Sequence, residues 1–398
     1  VTAGDATFEW APGEASARVA GAARRRLAPG SQEWNSFLSL DRFPQFFERS
    51  RGAHLWDPEG RRYVDCYGGG GAVILGHGDE AQLAAMAPYL ASGASVSFRH
   101  PVEVAVAELL AERLPFVDRA LFFKTGSEAV HAALAIALGG TRRRTVVSLG
   151  YHGWLPPFPT SWLAVPAIAV REPDWDLDDV RRVIAECEDD VAALVVSPEP
   201  SIPDPDFYRA LQAEARRTGA RLIMDEVKSG FRYAFPCVSA AAGLEPDLIV
   251  LSKAMANGFP IAVVGAGPGL LDGDRSFEVF STFAGEIVSL AAAHACLEQL
   301  ASGAYERFER AAATMAAALG DVFRATRVRL VGRPVAMRLA FPSQEAGTEF
   351  ARRLAAAGVV LHPRDVFNVT AAHDDTAVVA EVAAAFEAVT RQLGHLLT

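Results

Sequence analysis

The chain has 398 residues, 51% of them hydrophobic and 22% charged, enough for a sizeable core and more than one usual domain unit. Its formal net charge of −10 argues against a nucleic-acid backbone or an anionic membrane surface as partner, and neither is expected. No run approaches the roughly 20 apolar residues of a spanning helix, and no basic-flanked apolar run at the N-terminus suggests a secretory signal. Cys66, Cys187, Cys237 and Cys296 form no CxxC pair and no metal spacing. They read as buried thiols in a reducing cytoplasm, with no metal expected.

Residues 1–30 are rich in Ala, Arg and Gly and read as a partly ordered arm ending in Pro29-Gly30, followed by a short segment from Trp34 to Phe47. "HLWDPEGRRYVDCYGG" reads as a hairpin turning at Asp57-Pro58-Glu59-Gly60. "EVAVAELLAERLP" is helical, "RALFFKT" a strand, and "SEAVHAALAIALGG" a helix expected to stop at Gly139-Gly140. "RTVVSLG", "VAALVVSP", "RLIMDEV" and "DLIVLSK" suit buried parallel strands. "DLDDVRRVIAECED" and "DPDFYRALQAEARRTG" supply helical crossovers, so an α/β core with a mostly parallel sheet is expected. After residue 286 come a long Ala-rich helical stretch to about 325, strand-like "RVRLVG" and "PVAMRLAF", and helical patterns near 343–357 and 375–396. These predict a smaller α+β domain, joined by the N-terminal segment. The expected division is 1–65, 66–285 and 286–398.

The chemistry begins at Asp225, at the carboxyl end of "RLIMDEV", where open α/β sheets bind ligands. Asp225 and Val227 share a strand face by the i, i+2 rule, so a carboxylate and a branched side chain could meet a ring. Lys253 lies 28 residues further on, just after the next strand, in the small-residue turn "SKAMANGFP". Of 38 basic residues only Lys124, Lys228 and Lys253 are lysine, so an amine-dependent chemistry has three candidates. In "KTGSEAVHAALAIA", Thr125 to Glu128 fits a capping box. Gly126 and Ser127 would then present N–H groups and a hydroxyl at a positive helix end.

The runs "TGSEAV", "GYHGW", "MDEVKSGFR", "PDLIVLSKAMANGFP" and "STFAGEIVSLAAA" stand in order along nearly the whole chain, about residues 25–395. Together they resemble the class III aminotransferases, fold-type I pyridoxal 5′-phosphate (PLP) enzymes, in the subgroup that includes glutamate-1-semialdehyde aminomutase. The resemblance implies a mostly parallel seven-stranded sheet in the large domain and a homodimer with shared active sites. It implies that Lys253 forms an internal aldimine and moves a proton, and that Asp225 pairs with the pyridine nitrogen. Tyr151 would stack on the ring beside His152, Val227 would pack on the other face, and Gly126 and Ser127 would hold the phosphate. Thr282 would reach the phosphate of the neighbouring subunit. The partners implied are a small-molecule amino donor and a carbonyl acceptor.

Departures from the family pattern bear on the substrate. The aminomutase carries a substrate-holding arginine after Pro-Gly; here the run is "PGSQEWNSF", with Trp34 and no arginine. Glu286 stands where many relatives have Asn. It could accept hydrogen bonds from amines or hydroxyls of a substrate, or cap the helix that follows. Trp34, Tyr67 and Trp154 could wall a pocket for a ring-shaped substrate, or pack in the core. Arg99, Arg232 and Arg364 are candidate holders of a substrate anion. An aminotransferase acting on an oxo-sugar, aminoglycoside or aminocyclitol in secondary metabolism is expected. A semialdehyde-type aminomutase and a PLP epimerase are the alternatives.

Overall fold

The computed structural model describes residues 8–27, 42–93, 98–158, 165, 167–201, 204–271 and 281–397. The chain divides into two compact units, residues 80–302 and residues 1–79 with 303–398.

The unit 80–302 is built on a seven-stranded sheet. Its strands are β1 (Arg119–Phe123), β2 (Thr145–Leu149), β3 (Ala169–Arg171), β4 (Val191–Val196), β5 (Arg221–Glu226), β6 (Leu248–Leu251) and β7 (Ala262–Ala266). Their order is β1-β7-β6-β5-β4-β2-β3, and only β7 runs antiparallel to its neighbours. Strands β2, β4, β6 and β7 are buried along their whole length, as continuous Val/Leu/Ile runs require in a sheet covered on both faces. The helices are α1 (Glu80–Ser92), α2 (Pro101–Arg113), α3 (Gly126–Thr141), α4 (Leu177–Glu186), α5 (Pro205–Thr218) and α6 (Ile287–Gln299). The helix expected to stop at Gly139-Gly140 continues to Thr141 and ends on Arg142 in a left-handed conformation. Two helical glycines cost about 2 kcal/mol, less than the burial of Leu134, Ile136 and Ala137 on the preceding turns returns.

In the other unit, Arg49–Arg51, His54–Trp56 and Arg62–Asp65 form an antiparallel meander, and Val359–Val360 joins it in parallel. A second antiparallel pair links Arg329–Val331 to Arg338–Ala340. Helices Glu14–Arg26, Tyr305–Phe323, Gln344–Ala356 and Thr376–Gln392 complete it. Its core is aromatic: the Phe350 ring lies 5.8, 5.2 and 5.3 Å from those of Phe323, Phe341 and Phe386. The two compact units are bounded at 79/80 and 302/303. Residues 66–79 stay with the smaller unit because Asn368 N–H donates to Cys66 O and Ala371 N–H to Ile74 O. Helix α6 stays with the larger one because it packs on α1 and α2.

The hairpin turn carries a clamp. The Glu59 carboxylate accepts from Ser16 N–H (2.8 Å) and from the Ser16 hydroxyl, at the start of helix Glu14–Arg26, and from Arg61 Nη2 (3.1 Å). Burial alone would raise this carboxyl; the Ser16 and Arg61 bonds outweigh it and hold it at about 2 instead of 4.5. A depressed folded-state value stabilises the docked helix above pH 4.5, and that contribution is lost as pH falls from 4.5 toward about 2. The protection of residues 14–26 against hydrogen exchange, referred to the intrinsic rate at each pH, is therefore expected to fall over that window. In Glu59→Gln the protection should be lower at pH 7 and change little with pH.

Candidate active site

The carboxyl ends of β5 and β6 meet in register, Asp225 opposite Val250 and Glu226 opposite Leu251. Lys253 follows two residues after Leu251, so parallel pairing brings the Asp225 and Lys253 backbones to one rim. Asp225 is buried, only 3% exposed. Its Oδ1 accepts from Val227 N–H at 3.2 Å and its Oδ2 bonds His152 Nδ1 at 2.8 Å. An ionised carboxylate only accepts, so Nδ1 is the donor. His152 is itself buried, against the Phe158 ring at 4.9 Å, and its Nε2 has no partner among the described residues. Tyr151 is half exposed; burial, then the Asp225 charge, push its phenol above the ordinary value.

The capping box predicted at Thr125 forms. Thr125 N–H donates to Glu128 Oε2 at 2.8 Å and Glu128 N–H to Thr125 Oγ1 at 3.2 Å. It does not use the N–H groups of Gly126 and Ser127, which remain at the positive mouth of the 16-residue α3. Two close approaches join this mouth to the other segments. A Cβ on Gly126 would lie 2.7 Å from Val227 Cγ1. One on Gly153 would lie 2.2 Å from Ser127 Oγ, and Gly153 has φ +87°, so only glycine fits there. Loops 125–127, 151–153 and 225–227 are therefore packed against one another.

Lys253 has φ +48°, a left-handed conformation that a side chain adopts at a cost. The surroundings hold it there. Ser252 Oγ donates to Ile261 O at 2.7 Å. Buried Gln82 donates to Ala256 O (3.1 Å) and Ala292 O (3.0 Å) and accepts from Asn257 Nδ2 (3.0 Å). No sequence pattern singles out Gln82, because its partners lie 174 and 210 residues away. Glu226 was also unmarked. It accepts from Val238 N–H, Ser239 N–H and the Ser229 and Ser239 hydroxyls, which braces the turn after Val227.

Of the substrate candidates, Tyr67, Trp154 and Glu286 fall within the described residues. Trp34 lies outside the described residues. Trp154 is 67% exposed in the turn after the "YHG" run. Tyr67 belongs to the other unit, where it stacks on His362 at 5.6 Å, and burial, Asp365 and Asp65 raise its phenol to about 12. Glu286 caps α6, accepting from Val288 N–H (2.6 Å) and Ser289 N–H (3.1 Å), and bonds Lys124 Nζ at 3.0 Å. Thr282 is exposed in the turn just before it. Arg99 is an exposed partner of Glu103, Arg232 is fully buried, and Arg364 lies exposed in the other unit.

A buried, doubly hydrogen-bonded carboxylate, an open helix mouth and a lysine together fit a phosphorylated heteroaromatic cofactor. The model of the family "aminotransferase class-III" matches residues 39–157 and 155–372. This chain belongs to the class III aminotransferases. It is a PLP-dependent aminotransferase, acting between a small-molecule amino donor and a carbonyl acceptor. The enzyme is 34% identical to a 2′-deamino-2′-hydroxyneamine transaminase of Streptomyces kanamyceticus over 84% of this chain and 88% of that one. It is 32% identical to a glutamate-1-semialdehyde 2,1-aminomutase of Roseiflexus castenholzii over 73% of this chain and 74% of that one. Its fold superposes with a TM-score of 0.88 on the PLP internal aldimine form of the FumI protein of Sphingopyxis sp. MTA144, 25% identical, covering 97% of this chain and 99% of that one. Fold-type I is thereby the architecture of the large unit. Among the described residues no helix is long and apolar enough to cross a membrane.

Proposed function

We propose that the aminotransferase delivers an amino group to a polyhydroxylated ring carbonyl, an oxo-sugar, aminoglycoside or aminocyclitol. The observation that carries the substrate class is the 34% identity over most of both chains to a transaminase of an aminoglycoside precursor. The absence of an arginine in "PGSQEWNSF" supports it over the aminomutase reading. The work belongs to secondary metabolism, in the cytoplasm, in a homodimer whose Thr282 serves the neighbouring site.

Bound at the rim of β5 and β6, PLP supplies an electron sink for the transferred amino group. Lys253 is the amine that attaches it, and Nζ carries a proton to and from the reacting carbon. Asp225, oriented by His152 and Val227 N–H, holds a proton at the cofactor's ring nitrogen through a charge-assisted bond. Val227 and Tyr151 would flank the ring, and the Ser127 hydroxyl with the Gly126 and Ser127 N–H groups would receive the phosphate.

The test runs the reaction in reverse. Aminocyclitols or amino sugars with 2-oxoglutarate should give glutamate, read by mass spectrometry. Isomerisation of glutamate-1-semialdehyde with no amino donor, and no glutamate from any aminocyclitol, would overturn the substrate class. The aminomutase reading has its own support in relatives of that name, and this outcome would establish it.

A further inference from the structure

Lys124 is one of three lysines among 38 basic residues. It stands between β1 and the Thr125 cap of α3. Its ammonium lies 3.0 Å from Glu286 Oε2, and each side chain is 16% exposed. Glu286 Oε1 also accepts from Val288 N–H and Oε2 from Ser289 N–H, so each oxygen already has one backbone donor. A compact ammonium fits such a site, whereas the planar guanidinium fork wants two oxygens in its plane. That is a physical reason for lysine here in an arginine-rich chain. The contact also spans 162 residues and joins the starts of two helices, α3 with its open N–H groups and α6 with the turn that carries Thr282.

We propose that Lys124 and Glu286 are a positioning pair for the cofactor phosphate. Lys124 cancels the Glu286 charge and ties loop 125–127 to the turn 281–286. Without the ammonium, a carboxylate would remain beside a site meant for a phosphate dianion, and like charges repel. In this role Glu286 serves the cap of α6 and Lys124. The proposal rests on reading Gly126 and Ser127 as the phosphate loop.

The test compares holoenzyme variants during dialysis, following loss of bound PLP by its absorbance, with thermal midpoints measured alongside. Lys124→Met is expected to lose PLP on the order of tenfold faster than wild type, the scale of one partly buried unpaired charge. Glu286→Gln should lose it only slightly faster. The double variant should retain PLP better than Lys124→Met, since no orphaned carboxylate remains. A purely structural role predicts that the thermal midpoints fall in step with the loss of PLP, whereas a positioning pair changes PLP loss at nearly unchanged midpoints. Lys124→Gln, polar and with less risk to folding, should behave as Lys124→Met does. Retention at the wild-type rate in both Lys124 variants, or a double variant worse than either single one, would falsify the proposal. Ser127→Ala separates the two ideas. If it also retains PLP as wild type does, the phosphate-loop reading itself has failed. If it loses PLP while the Lys124 variants do not, only the pair is refuted.

Discussion

Lys253→Ala is expected to fold normally, to show no borohydride-reducible protein adduct and no aldimine absorbance, and to turn over roughly 10³-fold or more slowly. The fold should survive because the position is over-determined. Alanine and lysine carry the same penalty at φ +48°, and the bonds of Ser252, Gln82 and Asn257 that shape this turn do not involve the Lys253 side chain. The chemistry should not survive, because no other lysine can substitute. Lys124 is engaged by Glu286 just before the Thr125 cap of α3. Lys228 follows Val227 and is out of phase with it and Asp225. Phosphate contacts at the mouth of α3 are independent of Lys253, so the variant should still bind PLP reversibly. Mass spectrometry of borohydride-treated wild type should place the adduct on the peptide containing Lys253. An adduct that persists in Lys253→Ala would show that the amine lies elsewhere.

The local parts of this site were legible because each rests on a short-range rule. The Thr125–Glu128 capping box needs only a three-residue spacing. Asp225 and Lys253 could be placed on one rim because two buried strands in succession end just before them. The α/β order with a parallel sheet followed from apolar runs separated by amphipathic helices. What stayed hidden depends on side chains meeting across long separations. The His152–Asp225 bond spans 73 residues, Lys124–Glu286 spans 162 and Gln82–Asn257 spans 175. No periodicity encodes such pairs. Glu286 shows the consequence. From the sequence it was equally a substrate contact or a helix cap, and only the positions of Val288 N–H, Ser289 N–H and Lys124 Nζ show both oxygens in use. The extent of the larger unit depends on such long-range packing too. Helix α6 reads as the start of a new Ala-rich region, but its small residues let it pack closely on α1 and α2.

Asp225→Asn separates attachment of the cofactor from its activation. The amide has nearly the same shape as the carboxylate, so the buried site should still close around it. It also keeps one oxygen, enough for either the His152 or the Val227 donor but not for both in the present geometry. What disappears is the negative charge that holds a proton on the cofactor's ring nitrogen. A hydrogen bond to a charged group contributes about 1.5–3 kcal/mol, so kcat should fall by roughly 10²-fold. Lys253 is untouched, so the borohydride-trapped adduct should form as in wild type, the reverse of the Lys253→Ala pattern. His152→Leu tests the support of that carboxylate. It fills the space beside Phe158 but removes the donor to Oδ2, and Asp225 keeps only Val227 N–H. The expected loss is smaller, about tenfold, because the charge remains while its orientation is loosened. The order wild type, His152→Leu, Asp225→Asn in kcat, with the adduct intact throughout, is what a carboxylate acting on the ring nitrogen requires. If Asp225→Asn keeps kcat within about twofold of wild type, Asp225 is a structural cap of the β5 rim, and the proton at the ring nitrogen is held by another group.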